Sequence, residues 1–420
     1  MTTIVSELEL PALDYTDPSL RGARFHDAMR ELRGHGWLAR GPFGYMVLDR
    51  ESAEFFLRTR AATFPGMKIA EIFGVSDGAL YEQMQRNILH VNGPDHARLR
   101  SLVNPALSPR AVERYAPAMR AFLEQLLEQA IAASAPDHSE PATGVACEFV
   151  DAFAKPYPSQ VIATVMGAPL ADAPRLYHWS NWIQRQFDAV SMASERDHIE
   201  RAVEEFYAYA EALLLTRRAD PRDDLLSMLI EAEEAGERLS DVECINLVFN
   251  VLAGGVDTTQ SQLAHTVRLL AENPEQWELL VQNPQLAEAA VEEALRFEPI
   301  TPFTARITTE EVVFRDVSFP QDTIVIVSAF SGNRDLDRSE QGPAGADAFD
   351  ITADRGSARA LTFGAGVHYC VGANLARLEL REALSFLAQR VRRLELDGEP
   401  AFDTITGIYG LSELPVRLIF

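Results

Sequence analysis

The stretch Leu361–Glu379, LTFGAGVHYCVGANLARLE, holds one of only three cysteines in the 420-residue chain. Phe363, Gly364, Gly366, His368, Cys370 and Gly372 make the pattern F-G-x-G-x-H-x-C-x-G, and Leu375, Ala376 and Arg377 open an amphipathic helix behind it. Glycines on both sides let backbone come close to a flat ligand and aim amide hydrogens at the sulfur. A helix N-terminus behind Cys370 favours the thiolate, the form that binds metal. A lone cysteine is most often an inert buried thiol; the complete pattern argues for a metal ligand.

Cys147 and Cys244 are too few and too scattered for a disulfide framework or a cysteine-rich metal site, which fits a reducing cytoplasm. The chain carries 38 basic against 62 acidic residues, a formal charge of −24. Such a charge disfavours nucleic-acid and anionic-membrane partners. The N-terminus MTTIVSELELPALDY has no basic region leading into an apolar core, so no secretory signal is read. The longest nearly apolar run, INLVFNVLAGGV (Ile245–Val256), is shorter than the roughly 20 residues that cross a bilayer.

Apolar residues at three-to-four spacing predict helices over Leu20–Leu38, Arg110–Ala133, Phe149–Met166, Ala171–Ala189, Asp197–Arg217 and Ser240–Ala271. Strand signals are short: Tyr45–Leu48, Glu311–Phe314, Thr323–Val327 and the terminal LPVRLIF. The expected fold is mainly α with small β-sheets, as one domain over residues 1–420, because no Pro, Ser or Gly tract separates halves. Phe64–Asn92 and Gly332–Ala360 read as irregular loops.

The cysteine loop resembles the heme-binding loop of the cytochrome P-450 family, whose cysteine thiolate is the proximal iron ligand. Three further stretches stand in the order that the resemblance implies. In EEALR, Glu293 and Arg296 share a helix face at i, i+3; alone, such a pair is usually a solvated salt bridge, and only its position before the cysteine loop marks it as a buried structural pair. In AGGVDTTQ, Ala253–Gln260, two glycines inside a helix cost about 1 kcal/mol each, so they demand a reason: close helix packing, or passage over a cofactor face. The Thr258 hydroxyl can bond the carbonyl of Gly254 and open the helix. In GPDHARLR, His96 and Arg100 lie at i, i+4, which by itself suits an exposed polar face.

The resemblance covers essentially the whole chain. It implies heme b as cofactor, with Cys370 on the metal and Phe363, Gly364 and Gly372 shaping the loop. It places His96, Arg100, Arg306 and His368 on the propionates, where charge-assisted hydrogen bonds hold two carboxylates. It makes Asp257 and Thr258 the acid and alcohol of oxygen activation, and it implies insertion of one oxygen atom into a C–H bond, most simply as hydroxylation. Oxidative coupling, desaturation or peroxide use is the alternative within enzymes, and a non-catalytic heme sensor the alternative outside them. Helical spacing puts Asn250, Gly254 and Thr258 on one face with Ala253 beside them. By resemblance the pocket also draws on the Phe64–Asn92 loop, Trp182–Phe187, Ile300–Thr304 with Phe303 and Thr304 foremost, and Ile408 with Tyr409. Electrons are expected from a separate ferredoxin and ferredoxin reductase, docking by a basic patch at Arg98, Arg377 and Arg381, and the protein is expected to be a monomer. The segment before the loop is about two residues longer than the simplest pattern, so whether Arg355 joins Glu293 and Arg296 stays open.

Overall fold

The computed structural model describes residues 2–134, 144–232, 239–336, 345–356 and 359–420. The helices used below are α1 (Gly22–Gly34), α2 (Gly93–Val103), α3 (Ala116–Ser134), α4 (Pro156–Met166), α5 (Ala173–Gln184), α6 (Arg196–Ala219), α7 (Asp241–Gly255), α8 (Asp257–Glu272), α9 (Ala287–Phe297) and α10 (Ala373–Arg390). The strands are β1 (Leu38–Gly41), β2 (Gly44–Val47), β3 (Ala62–Thr63), β4 (Gly144–Glu148), β5 (Phe303–Thr308), β6 (Ile324–Ser328), β7 (Arg393–Leu396), β8 (Ala401–Phe402), β9 (Leu411–Glu413) and β10 (Pro415–Ile419).

The fold is mostly helical with small sheets, in agreement with the periodicity. The long segment Ser240–Ala271 forms as two helices instead of one. It starts on a capping box, the Ser240 hydroxyl accepting from the Glu243 amide while the Glu243 carboxylate accepts from the Ser240 amide. It breaks at Val256, whose ψ of −71° lies at the steep edge of the helical region, well beyond the usual value of about −42°. α7 packs on α4, α5 and α6, and α8 packs on α9 and α10, so this broken helix runs through the centre of the body. Phe249 is wholly buried against Phe206 and Tyr207, a ring worth about 1.5–3 kcal/mol of burial.

The largest sheet has the order β1-β2-β6-β5-β3. β2 and β6 run parallel with Tyr45 opposite Val325, and β6 and β5 run antiparallel with Arg306 opposite Val325. A second sheet, β7-β10-β4, sets Val416 beside Cys147. β5 was not expected from the sequence: FTARIT carries an arginine in the middle and lacks the usual enrichment in Val and Ile. Two helices, Met67–Ile72 and Gly78–Arg86, occupy the loop expected over Phe64–Asn92. Within Gly332–Ala360, residues 337–344 and 357–358 lie outside the described residues.

Candidate active site

The cysteine loop hangs from a buried polar frame. Glu293 on α9 accepts from Arg296 Nε at 2.7 Å and Nη2 at 2.8 Å, from Arg355 Nη2 at 2.6 Å, and from the Asp350 amide at 3.0 Å. Arg355 therefore joins the pair, which answers the question left by the longer segment. Arg296 also donates to the carbonyls of Ala346 and Ala348, at 2.7 and 2.8 Å. Asn333 connects this frame to the loop, donating to the Arg296 carbonyl at 3.2 Å and accepting from the Leu361 amide at 2.6 Å. Asn333 was not singled out in the sequence, since an isolated asparagine carries no pattern.

In the loop, the Cys370 amide donates to the Phe363 carbonyl at 2.9 Å, closing the turn. Gly364 and Gly366 have φ of 69° and 71°, values that side chains other than glycine rarely adopt, and a Cβ on Gly366 would stand 2.5 Å from the Leu57 carbonyl oxygen. Burial pushes the Cys370 thiol up, while the Gly372 amide, Arg100, Arg377 and the Ala373 amide pull it toward the thiolate.

Around this loop gathers a set of donors with no matching acid. The His96 and His368 rings lie 4.4 Å apart, and His368 Nε2 is 3.0 Å from Asn92 Oδ1. Burial, together with His96, Arg306 and Arg100, pushes His368 down to about 4. Arg306 is buried on β5, and its guanidinium donates to the Ala305 carbonyl at 2.9 Å; burial pushes it down to about 10. Among the described residues neither Arg100 nor Arg306 pairs with a carboxylate, and His368 Nδ1 has no hydrogen-bond partner. Buried guanidiniums are ordinarily paired, so this donor set fits a ligand that brings its own carboxylates, as the two propionates of heme would.

The oxygen-side residues stand on the broken helix. The Thr258 hydroxyl donates to the Gly254 carbonyl, Ser180 on α5 donates to the Leu252 carbonyl at 3.2 Å, and Gln184 donates to the Ala253 carbonyl. Three consecutive carbonyls are thus taken by side chains, which lets the helix open without orphaned acceptors. The two glycines divide the two reasons considered for them. A Cβ on Gly255 would stand 2.3 Å from Ile162 Cδ1, which is close helix packing, whereas one on Gly254 would meet nothing within 4 Å, leaving that face bare. Burial raises the Asp257 carboxyl to about 7, opposed by Arg185 and the Asn181 amide, and neither carboxylate oxygen completes a hydrogen bond among the described residues. The propionate-type donors and the Asp257/Thr258 pair form two groups on separate elements.

The family model for "Cytochrome P450" matches residues 46–406. The chain belongs to the cytochrome P450 family. It is 32% identical over 413 residues to the luteothin monooxygenase of Streptomyces thioluteus, covering 97% of this chain and 96% of that one. It is 34% identical over 334 residues to the erythromycin C-12 hydroxylase of Saccharopolyspora erythraea, covering 78% and 79%. The crystal structure of CalO2 superposes with a TM-score of 0.86 at 30% identity, over 97% of this chain and 99% of that one. This cytochrome P450 is accordingly an oxidoreductase of the monooxygenase class, and its family implies a heme cofactor. Among the described residues, no helix is long and apolar enough to cross a membrane.

Two expected pocket residues point elsewhere. Side chains alternate along β5, so Thr304 shares a face with Arg306, while Phe303 turns to the other side and packs on Tyr15 and Phe25 with ring centroids at 5.2 and 6.0 Å. Tyr409 is wholly buried against Phe25, His265 and Phe402, and its hydroxyl accepts from the Gly22 amide at 2.8 Å; it is a core residue. Asn250 is half-buried and donates to the Asn246 carbonyl of its own helix at 2.6 Å. The basic patch is largely neutralised: Arg98 pairs with Glu243, Arg377 with Glu292 and Arg381 with Glu113.

Proposed function

We propose that this cytochrome P450 binds heme b and hydroxylates a small molecule of bacterial secondary metabolism, with electrons from a separate ferredoxin and its reductase. The observation that carries this reading is the pairing of an amide-supported Cys370 with buried, acid-free Arg306 and its neighbours Arg100, His96 and His368. Non-covalent heme b suits the remaining cysteines, since Cys147 lies on β4 and Cys244 on α7, outside the loop. The heme, when bound, supplies the reductive activation of dioxygen and the insertion of one oxygen atom into the substrate.

Cys370 would be the iron ligand: burial favours its neutral thiol, and the Gly372 and Ala373 amides with Arg100 and Arg377 offset part of that, so the bound iron would complete the thiolate. Arg100, Arg306, His96 and His368 hold the two carboxylates and fix the orientation of the ring. Thr258, its hydroxyl proton spent on the Gly254 carbonyl, presents its oxygen as an acceptor that orders water on the bare face at Gly254. Asp257 holds a proton near neutral pH and releases it to that water. Asn250, with its amide N–H committed to Asn246, offers Oδ1 to a hydroxyl or N–H of the substrate, on the helix face it shares with Gly254; Thr304 and Ile408 are assigned to the same pocket by family resemblance. The luteothin monooxygenase and the erythromycin C-12 hydroxylase among its relatives favour a natural-product substrate. Because Arg98, Arg377 and Arg381 are already paired within the chain, the ferredoxin contact depends on exchange of those partners. The proposed enzyme is a cytoplasmic, single-domain monomer.

A carbon monoxide difference spectrum of the reduced protein tests thiolate ligation. Turnover with ferredoxin, its reductase and a panel of natural products, read by mass spectrometry for a gain of one oxygen, tests the reaction. A reduced spectrum typical of histidine ligation, or products that differ from substrate by loss of two hydrogens, would refute the respective part.

A further inference from the structure

The segment between β3 and α2 buries a histidine whose ring completes no hydrogen bond within the chain. His90 is 9% exposed, and among the described residues neither Nδ1 nor Nε2 has a partner. Its backbone, by contrast, is held at both polar groups. The His90 amide donates to the Asn87 carbonyl at 2.8 Å, and the His90 carbonyl accepts from Asn92 Nδ2 at 3.2 Å. The other end of the same Asn92 amide, Oδ1, is 3.0 Å from His368 Nε2 in the cysteine loop. Two half-buried phenylalanines from different elements set the ring itself. Phe64, directly after β3, stacks on it with centroids 5.5 Å apart at 21°, and Phe187, beyond the end of α5, meets it edge-on at 6.4 Å and 87°. On the same stretch as Phe187, Gln184 donates to the Ala253 carbonyl beside the bare Gly254. The imidazole thus stands between the donor set around His368 and the end of α5 that touches the opened helix, at the space in which a substrate would lie.

We infer that His90 is a substrate-binding residue: a free ring nitrogen accepts a hydrogen bond from a hydroxyl or N–H of the substrate, within an otherwise apolar wall made by Phe64 and Phe187. Burial pushes the His90 imidazole down to about 4, so at neutral pH it carries one N–H and one bare nitrogen. The Met84 backbone faces the ring without completing a hydrogen bond, and its carbonyl suits the N–H, which leaves the bare nitrogen for a ligand. A buried polar group left unpaired costs about 1–3 kcal/mol. A phenylalanine would fill the same space between Phe64 and Phe187 without that cost, so the nitrogens call for a partner from outside the chain. With Asn250 Oδ1 on α7, the pocket then holds two acceptors, and the substrate class is an apolar body bearing hydroxyl or N–H donors.

This rests on the monooxygenase reading for the place of the substrate, and binding is measured without turnover. In the ferric holoenzyme, 1-alkylimidazoles anchor on the iron through nitrogen, and their ω-hydroxyalkyl counterparts of graded chain length carry a hydroxyl outward. Titration of the heme absorption band gives the affinity of each. At the chain length that reaches His90, the gain from the hydroxyl should be about fivefold larger in the unaltered protein than in His90→Phe, the worth of one neutral hydrogen bond. The alkyl probes should bind both proteins equally, and His90→Gln, which keeps an acceptor, should retain most of the gain. An equal hydroxyl effect in the unaltered protein and His90→Phe at every length would overturn the inference. So would an equal loss for both kinds of probe, which marks packing alone, or faster transfer of heme from His90→Phe to a scavenging globin, which gives the imidazole to a heme carboxylate. A thiolate-type carbon monoxide band in each variant shows that it is folded around its heme; a histidine-type band in the unaltered protein would refute the ligation proposed above, which is a different failure.

Discussion

Replacing Glu293 by Gln removes one negative charge from a site where two guanidiniums and an amide converge, at an almost unchanged volume. Glu293 and Arg296 are both less than 5% exposed, and Arg355 is 12% exposed. Breaking a buried pair by neutralising one partner costs about 3–5 kcal/mol, because the other charge stays buried. Glutamine keeps one acceptor, so the lower end, about 3 kcal/mol, applies. For 420 residues, an unfolding entropy of about 0.9 kcal/mol/K turns this into a melting temperature about 3–4 °C lower. Burial alone would push the Glu293 carboxyl up, but Arg296, Arg355 and the Asp350 amide pull harder and hold it below the usual range. The folded pKa is thus lower than the unfolded one, so this stability is complete above an unfolded carboxyl pKa of about 4.3 and is lost as pH falls through the folded value. Calorimetry of both proteins at pH 7 and at pH 3–4 should show the gap open at neutrality and narrowing in acid. Equal melting temperatures at pH 7, or a gap that persists unchanged in acid, would refute the assignment of Glu293 as the anion of this frame.

Arg306→Leu removes an unpaired buried cation, so the apoprotein should melt higher while the holoenzyme releases heme about tenfold faster to a scavenging globin, the loss of roughly one charge-assisted hydrogen bond; a destabilised apoprotein would show that Arg306 is already satisfied by the chain. Thr258→Ala should raise peroxide released per electron consumed several-fold at an unchanged heme spectrum, and unchanged coupling would exclude Thr258 from proton delivery. Asn250→Leu should weaken the spectral binding of hydroxyl-bearing substrates by about 1 kcal/mol and leave purely apolar ligands unaffected; equal affinity for both kinds would remove Asn250 from substrate recognition.

Local periodicity made the helical body legible. The broken centre of Ser240–Ala271 was legible only in part. The glycines and Thr258 signalled it, but the acceptors at Leu252 and Ala253 are relieved by Ser180 and Gln184, which lie about seventy residues earlier. No spacing rule reaches across helices. β5 was missed for a related reason: it is stabilised by β6 and β3 on its two edges, and six residues with an arginine in the middle show no clear apolar alternation of their own. The inward faces of Phe303 and Tyr409 were misjudged because a pocket assigned from position carries no information on which side of a strand a residue stands. Period-two alternation from Arg306 would have placed Thr304 on its side and Phe303 on the other.

The contrast between Arg296 and Arg306 shows where sequence reasoning stops. Both are buried arginines. Arg296 finds Glu293 one turn away, so its partner is written in the same five letters. Arg306 finds no acid among the described residues, and burial without a counter-ion is costly enough to call for an explanation. In a family whose cofactor carries two carboxylates, the partner proposed for this guanidinium is a propionate. The unpartnered Asp257 on the opposite group follows the same logic with the sign reversed: a carboxyl raised to about 7 can hold and release a proton at working pH, which a salt-bridged one could not. The residues that the fold leaves unpaired are therefore the ones to test first, and the fully paired Arg98, Arg377 and Arg381 are the weaker candidates for a role that needs a free charge.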